Sequence, residues 1–205
     1  MKLLYARTSP YVRKVMVVAH ETGQAEAIER VPVIATPTER NPETARHNPL
    51  GKVPTLITGD GTALFDSRVI CEYLDVRSSG PRLFPEGEAR WDALTRQALA
   101  DGLLDAALLL RYERVMRPAP ARWDAWEAGQ IAKIGGALDR MEATLTRDAG
   151  EVDIGAVAAG CALGYLDFRF PDLAWRSGRP AATAWYAAFS QRPSMVHTTP
   201  DAASA

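Results

Sequence analysis

The chain has 205 residues, of which 47% are hydrophobic and 24% are charged, the composition of an ordinary globular protein. The 24 basic and 25 acidic side chains nearly balance; this argues against nucleic-acid binding by bulk electrostatics, and we expect no nucleic-acid partner. Two cysteines, Cys71 and Cys161, are too few for a disulfide framework and fit a reducing compartment.

Neither a membrane segment nor a metal site is indicated by the sequence. The longest run without charge, Ile154–Leu166, has 13 residues, fewer than the roughly 20 that span a bilayer. The apolar run at residues 2–6 is too short for a signal peptide. The three histidines are far apart and have no cluster of Cys or carboxylate beside them, so no metal is expected. We expect a cytoplasmic protein with no membrane partner.

The first 77 residues alternate between strand and helix signals. Short apolar runs predict strands, near residues 2–6, 29–34, 53–58 and 62–65. Helices are expected to start at Ser9-Pro10, near residue 41 and at Asp66-Ser67, because Ser, Asn and Asp cap helices well. The resulting order, β-α-β-α-β-β-α, contains one parallel crossover and one antiparallel pair joined by a glycine turn. We predict a thioredoxin-like domain with a mixed four-stranded sheet over residues 1–77.

The composition changes near residue 80. All five tryptophans lie beyond it, and no proline occurs between Pro120 and Pro171, which favours helix. We predict a linker over residues 78–87 and an all-helical bundle domain over 88–205. Its helices are expected near 87–115, 122–146, 153–168 and 180–190.

The first segment with chemical potential is Thr8-Ser9-Pro10-Tyr11-Val12. The N-terminus of a helix stabilises an anion such as a thiolate. Redox proteins of this fold carry Cys-Pro-Tyr-Cys here, and both sulfurs are absent, so the sequence cannot support dithiol exchange at this place. The Ser9 hydroxyl can donate to a thiolate that a ligand brings, or it can act as a helix cap alone. Thr8 is the nearest alternative donor.

Two further segments could bind a peptide-like ligand. In Asn48–Leu56, a cis bond before Pro54 would let the Val53 backbone pair with an extended ligand; the other interpretation is an ordinary turn. In Phe65–Ile70, the Asp66 carboxylate could bind an ammonium group. Ser67 and the free N–H groups of the helix start could bind a carboxylate.

The chain to about residue 195 resembles the cytosolic glutathione S-transferase family. The resemblance is carried by residues 9–15, 48–54, 66–74 and 152–169. In the family, the last segment usually starts with a capping box, which here would begin at Gly150; glycine has no side chain, so only Asp153 of that box remains. The resemblance is to its bacterial, Ser-type members. It implies that Ser9 is the catalytic residue that activates the thiol. It also implies a glutathione site made by Lys52, Val53, Pro54, Asp66 and Ser67.

The resemblance implies a glutathione transferase that directs the glutathione thiolate at a small hydrophobic electrophile or a peroxide, in detoxification. Glutathione would be a co-substrate, with no other cofactor, and the protein would form a homodimer. We expect the second-substrate pocket to use Tyr11, Leu104, Leu108, Arg111 and Tyr112, from their positions alone. The alternative is a glutathione-binding or scaffolding protein of the same fold without useful catalysis.

Overall fold

The computed structural model describes residues 1–145 and 152–200. The end of the helix predicted near 122–146, and Gly150, lie outside the described residues. The chain divides into two compact units. The first contains Met1–Glu86 and the segment that begins at Pro193, and the second contains Gly87–Arg192.

The first unit is built on a four-stranded sheet in the order β2-β1-β3-β4. β1 pairs with β2 in parallel and with β3 antiparallel, and β3 pairs with β4 antiparallel. This confirms the predicted mixed sheet with one parallel crossover. The strands are β1 (Lys2–Tyr5), β2 (Glu29–Pro32), β3 (Thr55–Ile57) and β4 (Ala63–Leu64).

The register of the sheet brings the end of β1, the start of β3 and the end of β4 to the same end of the sheet, which we call its edge. Leu4 at the end of β1 pairs with Thr55 at the start of β3, and Leu56 pairs with Leu64 at the end of β4. The segments that follow β1, precede β3 and follow β4 therefore meet at the same end of the sheet. They are the three segments that the sequence indicated as ligand-binding.

Three helices follow the strands of this unit, as the sequence predicted. Val15 and Ala19 of the first helix are fully buried, and Val12 and Met16 continue the same apolar face. The helix ends where Gly23 takes the left-handed conformation that favours glycine. The helices are α1 (Pro10–Glu21), α2 (Pro42–His47) and α3 (Ser67–Arg77).

The second unit is helical, with a core in its third helix. Every residue from Ile154 to Leu166 is buried, so the uncharged run is a core helix. Gly155 permits close packing, because a Cβ there would lie 2.9 Å from the Ala93 carbonyl oxygen. No helix within residues 1–145 and 152–200 is long and apolar enough to cross a membrane. The helices are α4 (Glu88–Val115), α5 (Asp124–Thr144), α6 (Ile154–Arg169) and α7 (Pro180–Phe189).

A last helix, α8 (Pro193–His197), was not predicted and belongs to the first unit. The sequence had placed this segment in the helical domain. The physical reason for the difference is a set of polar contacts with α1: Arg13 Nη2 donates to the Met195 carbonyl oxygen at 3.1 Å, and the Ser194 hydroxyl donates to Glu21. Partners more than 170 residues apart leave no local pattern in the sequence.

Candidate functional site

Ser9 stands at the entrance to α1. Its backbone is extended, and its Oγ accepts a hydrogen bond from the Val12 N–H at 3.3 Å. Pro10, which has no N–H, occupies the first helical position. Since Oγ only accepts in this contact, its proton remains able to point outward. The helix end adds a partial positive charge that favours an anion.

The loop before β3 presents an unpaired backbone. The Val53–Pro54 peptide bond is cis, one of the two interpretations that the sequence left open. Within the described chain, neither the N–H nor the C=O of Val53 has a hydrogen-bond partner. The loop is held by the Lys52 carbonyl oxygen, which accepts from Asn48 Nδ2 at 3.0 Å and from Thr55 Oγ1 at 2.9 Å. These contacts hold the loop beside Val53 at the edge of the sheet, while the Lys52 side chain is exposed.

The start of α3 carries a charged cap. Asp66 Oδ1 accepts from the Arg68 N–H at 2.9 Å, and the Arg68 Nη2 lies 2.7 Å from Asp66 Oδ2. The hydrogen bonds from the Arg68 side chain are the main reason that the pKa of Asp66 is lowered. Ser67 is buried in the first turn of α3. The carboxylate that the sequence assigned to a ligand ammonium therefore already faces a cation.

Two residues beside this site, Lys14 and Asn48, were not predicted to contribute to it. Lys14 on α1 is fully buried, and after the hydrogen bonds from Arg68, its positive charge also helps to lower the pKa of Asp66. A lysine is almost always solvent-exposed, so nothing local marked this one. Asn48 is the other, since its side chain binds the Lys52 carbonyl oxygen; an Asn before Pro49 predicts a turn and no more.

The residues expected to bind the second substrate lie in both units. Tyr11 is on α1, with its ring centre 5.8 Å from Lys14 Nζ. The other four share one face of α4, where Leu104 is fully buried and Leu108, Arg111 and Tyr112 are half-buried. Burial raises the pKa of Tyr112. Their use as a substrate pocket stays a prediction.

Two polar side chains on α6 were not predicted from the sequence. Tyr165 and Arg169 are one turn apart, and burial raises the pKa of Tyr165 to about 12. Arg169 Nε is buried with no hydrogen-bond partner in the described chain. The pKa of Arg169 is lowered first by burial and then by the charge of Arg111. The i, i+4 spacing was the available signal, but the long apolar run around Tyr165 indicated only a core helix.

Metal-binding groups are not found at this site or elsewhere in residues 1–145 and 152–200: no three His, Cys, Asp or Glu side chains are placed to hold an ion. Both cysteines are buried. What converges at the edge of the sheet is a hydroxyl, an unpaired backbone segment and a charged helix start. These groups suit an extended, zwitterionic, thiol-bearing ligand.

Two family models match the chain, one in each compact unit. The model of the glutathione S-transferase N-terminal domain matches residues 8–77, and that of the C-terminal domain matches residues 124–188. The fold and the site thus define a thioredoxin-like domain joined to a helical domain of the glutathione-transferase type. The chain belongs to the glutathione S-transferase family.

Solved structures and a curated relative match almost the whole chain. A glutathione transferase family member from Pseudomonas fluorescens Pf-5 with bound glutathione is 46% identical, with a TM-score of 0.95 and 98% of each chain covered. A second structure from that source, with bound S-(propanoic acid)-glutathione, is 46% identical with a TM-score of 0.91, covering 98% of this chain and 100% of that one. An uncharacterized GST-like protein, YibF, from Escherichia coli (strain K12) is 34% identical over 205 residues, 98% of each chain.

Proposed function

We propose that this protein is a glutathione transferase in which the Ser9 hydroxyl donates a hydrogen bond to the sulfur of bound glutathione. The observation that carries the proposal is the convergence of three segments, distant in the sequence, at one edge of the sheet. They supply the Ser9 hydroxyl, the unpaired Val53 backbone and the capped start of α3. Each matches a different part of the same tripeptide.

The binding roles follow from the chemistry of glutathione. The Val53 N–H and C=O pair with the cysteinyl residue as an added strand would. Asp66 attracts the ammonium group of the γ-glutamyl end of glutathione. The carboxylate of that same γ-glutamyl end binds at Ser67 and the first N–H groups of α3. Pro54 shapes the loop, and the exposed Lys52 is available to the carboxylate at the other end of the tripeptide.

The chemical step depends on ionising the thiol. A free thiol has a pKa of about 8.5, and lowering it by about two units requires roughly 2.7 kcal/mol of preferential stabilisation of the thiolate. One charge-assisted hydrogen bond together with a helix N-terminus can supply this. The thiolate then forms a bond to an electrophilic carbon as the leaving group departs with its electron pair. With a peroxide, the thiolate attacks one oxygen and the O–O bond breaks, so that the sulfur is oxidised to a sulfenic acid. The other oxygen leaves with the electron pair and is protonated to an alcohol.

For the second substrate, we propose a small electrophile that contacts Tyr11, Leu104, Leu108, Arg111 and Tyr112. The relative with bound S-(propanoic acid)-glutathione supports conjugation at sulfur as the reaction class. From the family, we further propose that the protein is a cytoplasmic homodimer that acts in detoxification, with glutathione as its co-substrate.

The alternative is a glutathione-binding protein without useful catalysis. One observation favours it: the Ser9 side chain already caps α1, so a serine at this position does not require a catalytic role. Calorimetric titration with glutathione, followed by a conjugation assay with several electrophiles, separates the two functions. Binding with turnover supports the transferase, binding without turnover supports the alternative, and the absence of binding contradicts both.

A further inference from the structure

A cavity of about 270 Å³ lies in the first unit, lined by residues of α1, β1, β2 and the C-terminal end of the described chain. Its lining does not include Ser9, Val53, Asp66 or Ser67. It is therefore separate from the proposed glutathione site, and the inference drawn from it does not depend on the transferase activity.

The lining of this cavity is strongly positive. Arg7, Arg13 and Arg30 are among the residues that line it, and no Asp or Glu is among the described residues that do so. Within the described chain, none of these three arginines forms an ion pair with a carboxylate. Because arginine stays protonated in proteins, three positively charged residues line one small volume.

Of the three arginines, Arg13 is the buried one. It is only 8% exposed, and within the described chain its side chain donates hydrogen bonds to neutral acceptors: the Met195 carbonyl oxygen at 3.1 Å and Thr198 Oγ1 at 3.4 Å. A desolvated cation without a counter-ion is costly. Elsewhere in the chain, the shielded guanidinium of Arg96 forms a two-point ion pair with Asp153. At Arg13, none of the described residues supplies such a carboxylate.

The rest of the lining completes a small binding site. Val12 and Met16 form an apolar wall and are 5% and 7% exposed. The rings of His20 and His197 stack with their centres 5.4 Å apart and add a flat surface. We propose that this cavity binds a small organic dianion, whose oxygens contact Arg7, Arg13 and Arg30 and whose carbon body contacts the apolar wall.

Titration of the full-length protein tests the proposal, with succinate as the dianion and succinamide as its neutral analogue. Calorimetry gives the affinity, and the NMR resonance of the Arg13 Nε–H reports where binding occurs. Arg7→Gln and Arg30→Gln remove exposed side chains and should leave the fold intact. Each should weaken succinate binding about tenfold, the loss of one charged hydrogen bond. The control Arg46→Gln, on α2, should leave the affinity unchanged.

Several results would overturn this inference. They are the absence of saturable succinate binding, equal binding of succinamide, and equal affinities in Arg30→Gln and Arg46→Gln. Competition is also informative. Saturating glutathione should leave the succinate affinity unchanged, whereas mutual exclusion would place the anion in the glutathione site and contradict a separate cavity.

Discussion

Arg68 holds the Asp66 carboxylate at the first turn of α3, with 2.7 Å between Arg68 Nη2 and Asp66 Oδ2. A ligand ammonium at this site must share the carboxylate with that guanidinium. The hydrogen bonds from Arg68 also lower the pKa of Asp66. The carboxylate thus stays charged to a lower pH, and the stability that the pair contributes is present above the ordinary pKa and lost as the pH falls through the lowered one.

Arg68→Gln should therefore raise the pKa of Asp66 towards its ordinary value. It should also tighten glutathione binding a few-fold, because one competing cation is removed. Carboxyl NMR titration measures the pKa, and calorimetry measures the affinity. Arg77→Gln, at the other end of the same helix, is the matched control. An unchanged pKa of Asp66, or weaker binding of glutathione, would contradict this account of the helix start.

Replacing Ser9 separates its two roles. Ser9→Ala should lower kcat roughly 10²-fold, the usual cost of losing one activating donor, while the Kd for glutathione changes little. Ser9→Gly should lower kcat equally but cost only a few tenths of a kcal/mol in stability, because glycine is tolerated as a cap. Ser9→Thr retains the hydroxyl and should retain most of the activity. If Ser9→Gly is as active as the wild type and Thr8→Val is not, Thr8 is the donor.

The stability of the second unit is expected to depend strongly on Asp153 at the start of α6. Asp153 accepts from the Ala156 N–H at 2.9 Å and pairs with Arg96. Asp153→Ala should lower the free energy of unfolding by about 2 kcal/mol or more, since both a cap and the partner of a shielded cation are lost. Asp92→Ala removes the exposed partner of the same arginine and should cost well under about 1 kcal/mol. Denaturant unfolding of the two variants checks the difference; equal losses would contradict it.

Gly155 tests the close contact of α4 with α6. A Cβ at this position would lie 2.8 Å from Arg96 Cβ and 2.9 Å from the Ala93 carbonyl oxygen. Gly155→Ala should therefore destabilise the protein by about 1–3 kcal/mol. Gly102 lies within α4 with open space around it, and Gly102→Ala should stabilise by up to about 1 kcal/mol through helix propensity. Thermal unfolding measures both changes in stability. If Gly155→Ala stabilises the protein as Gly102→Ala does, α4 and α6 are packed less closely than described.

The stacked histidines predict a dependence of stability on pH. Burial, and then the charge of His197, lower the pKa of His20 from 6.5, while Glu26 acts in the opposite direction. The unfolded chain then binds the proton more readily than the folded one, so stability should fall as the pH drops below about 7 towards the lowered pKa, and then level off. The Tm of His20→Gln should fall less steeply than that of the wild type or His47→Gln between pH 7 and pH 5. If the Tm of His20→Gln falls with pH as steeply as that of the wild type, His20 is not the cause of the pH dependence.

The sequence was sufficient for the parts of this molecule that local patterns specify. The order of strands and helices along the chain and the helix starts at Ser9 and Asp66 could be predicted, because caps, turns and periodicity are local. The cis bond before Pro54 was one of two interpretations that the residues left open. Side-chain partnerships across the fold could not be. The burial of Lys14 and the docking of α8 through Arg13 depend on contacts between residues distant in the sequence, and the Asp66–Arg68 ion pair depends on a rotamer choice.

The central claim is that the protein lowers the pKa of the glutathione thiol through the hydroxyl of Ser9. Titrating the ultraviolet absorbance of the thiolate in the protein–glutathione complex measures this pKa directly. We predict a value about two units below the free thiol value of about 8.5 in the wild type, and a return towards that free value in Ser9→Gly. A thiol pKa in the complex equal to that of free glutathione, or lowered equally in Ser9→Gly, would contradict the claim.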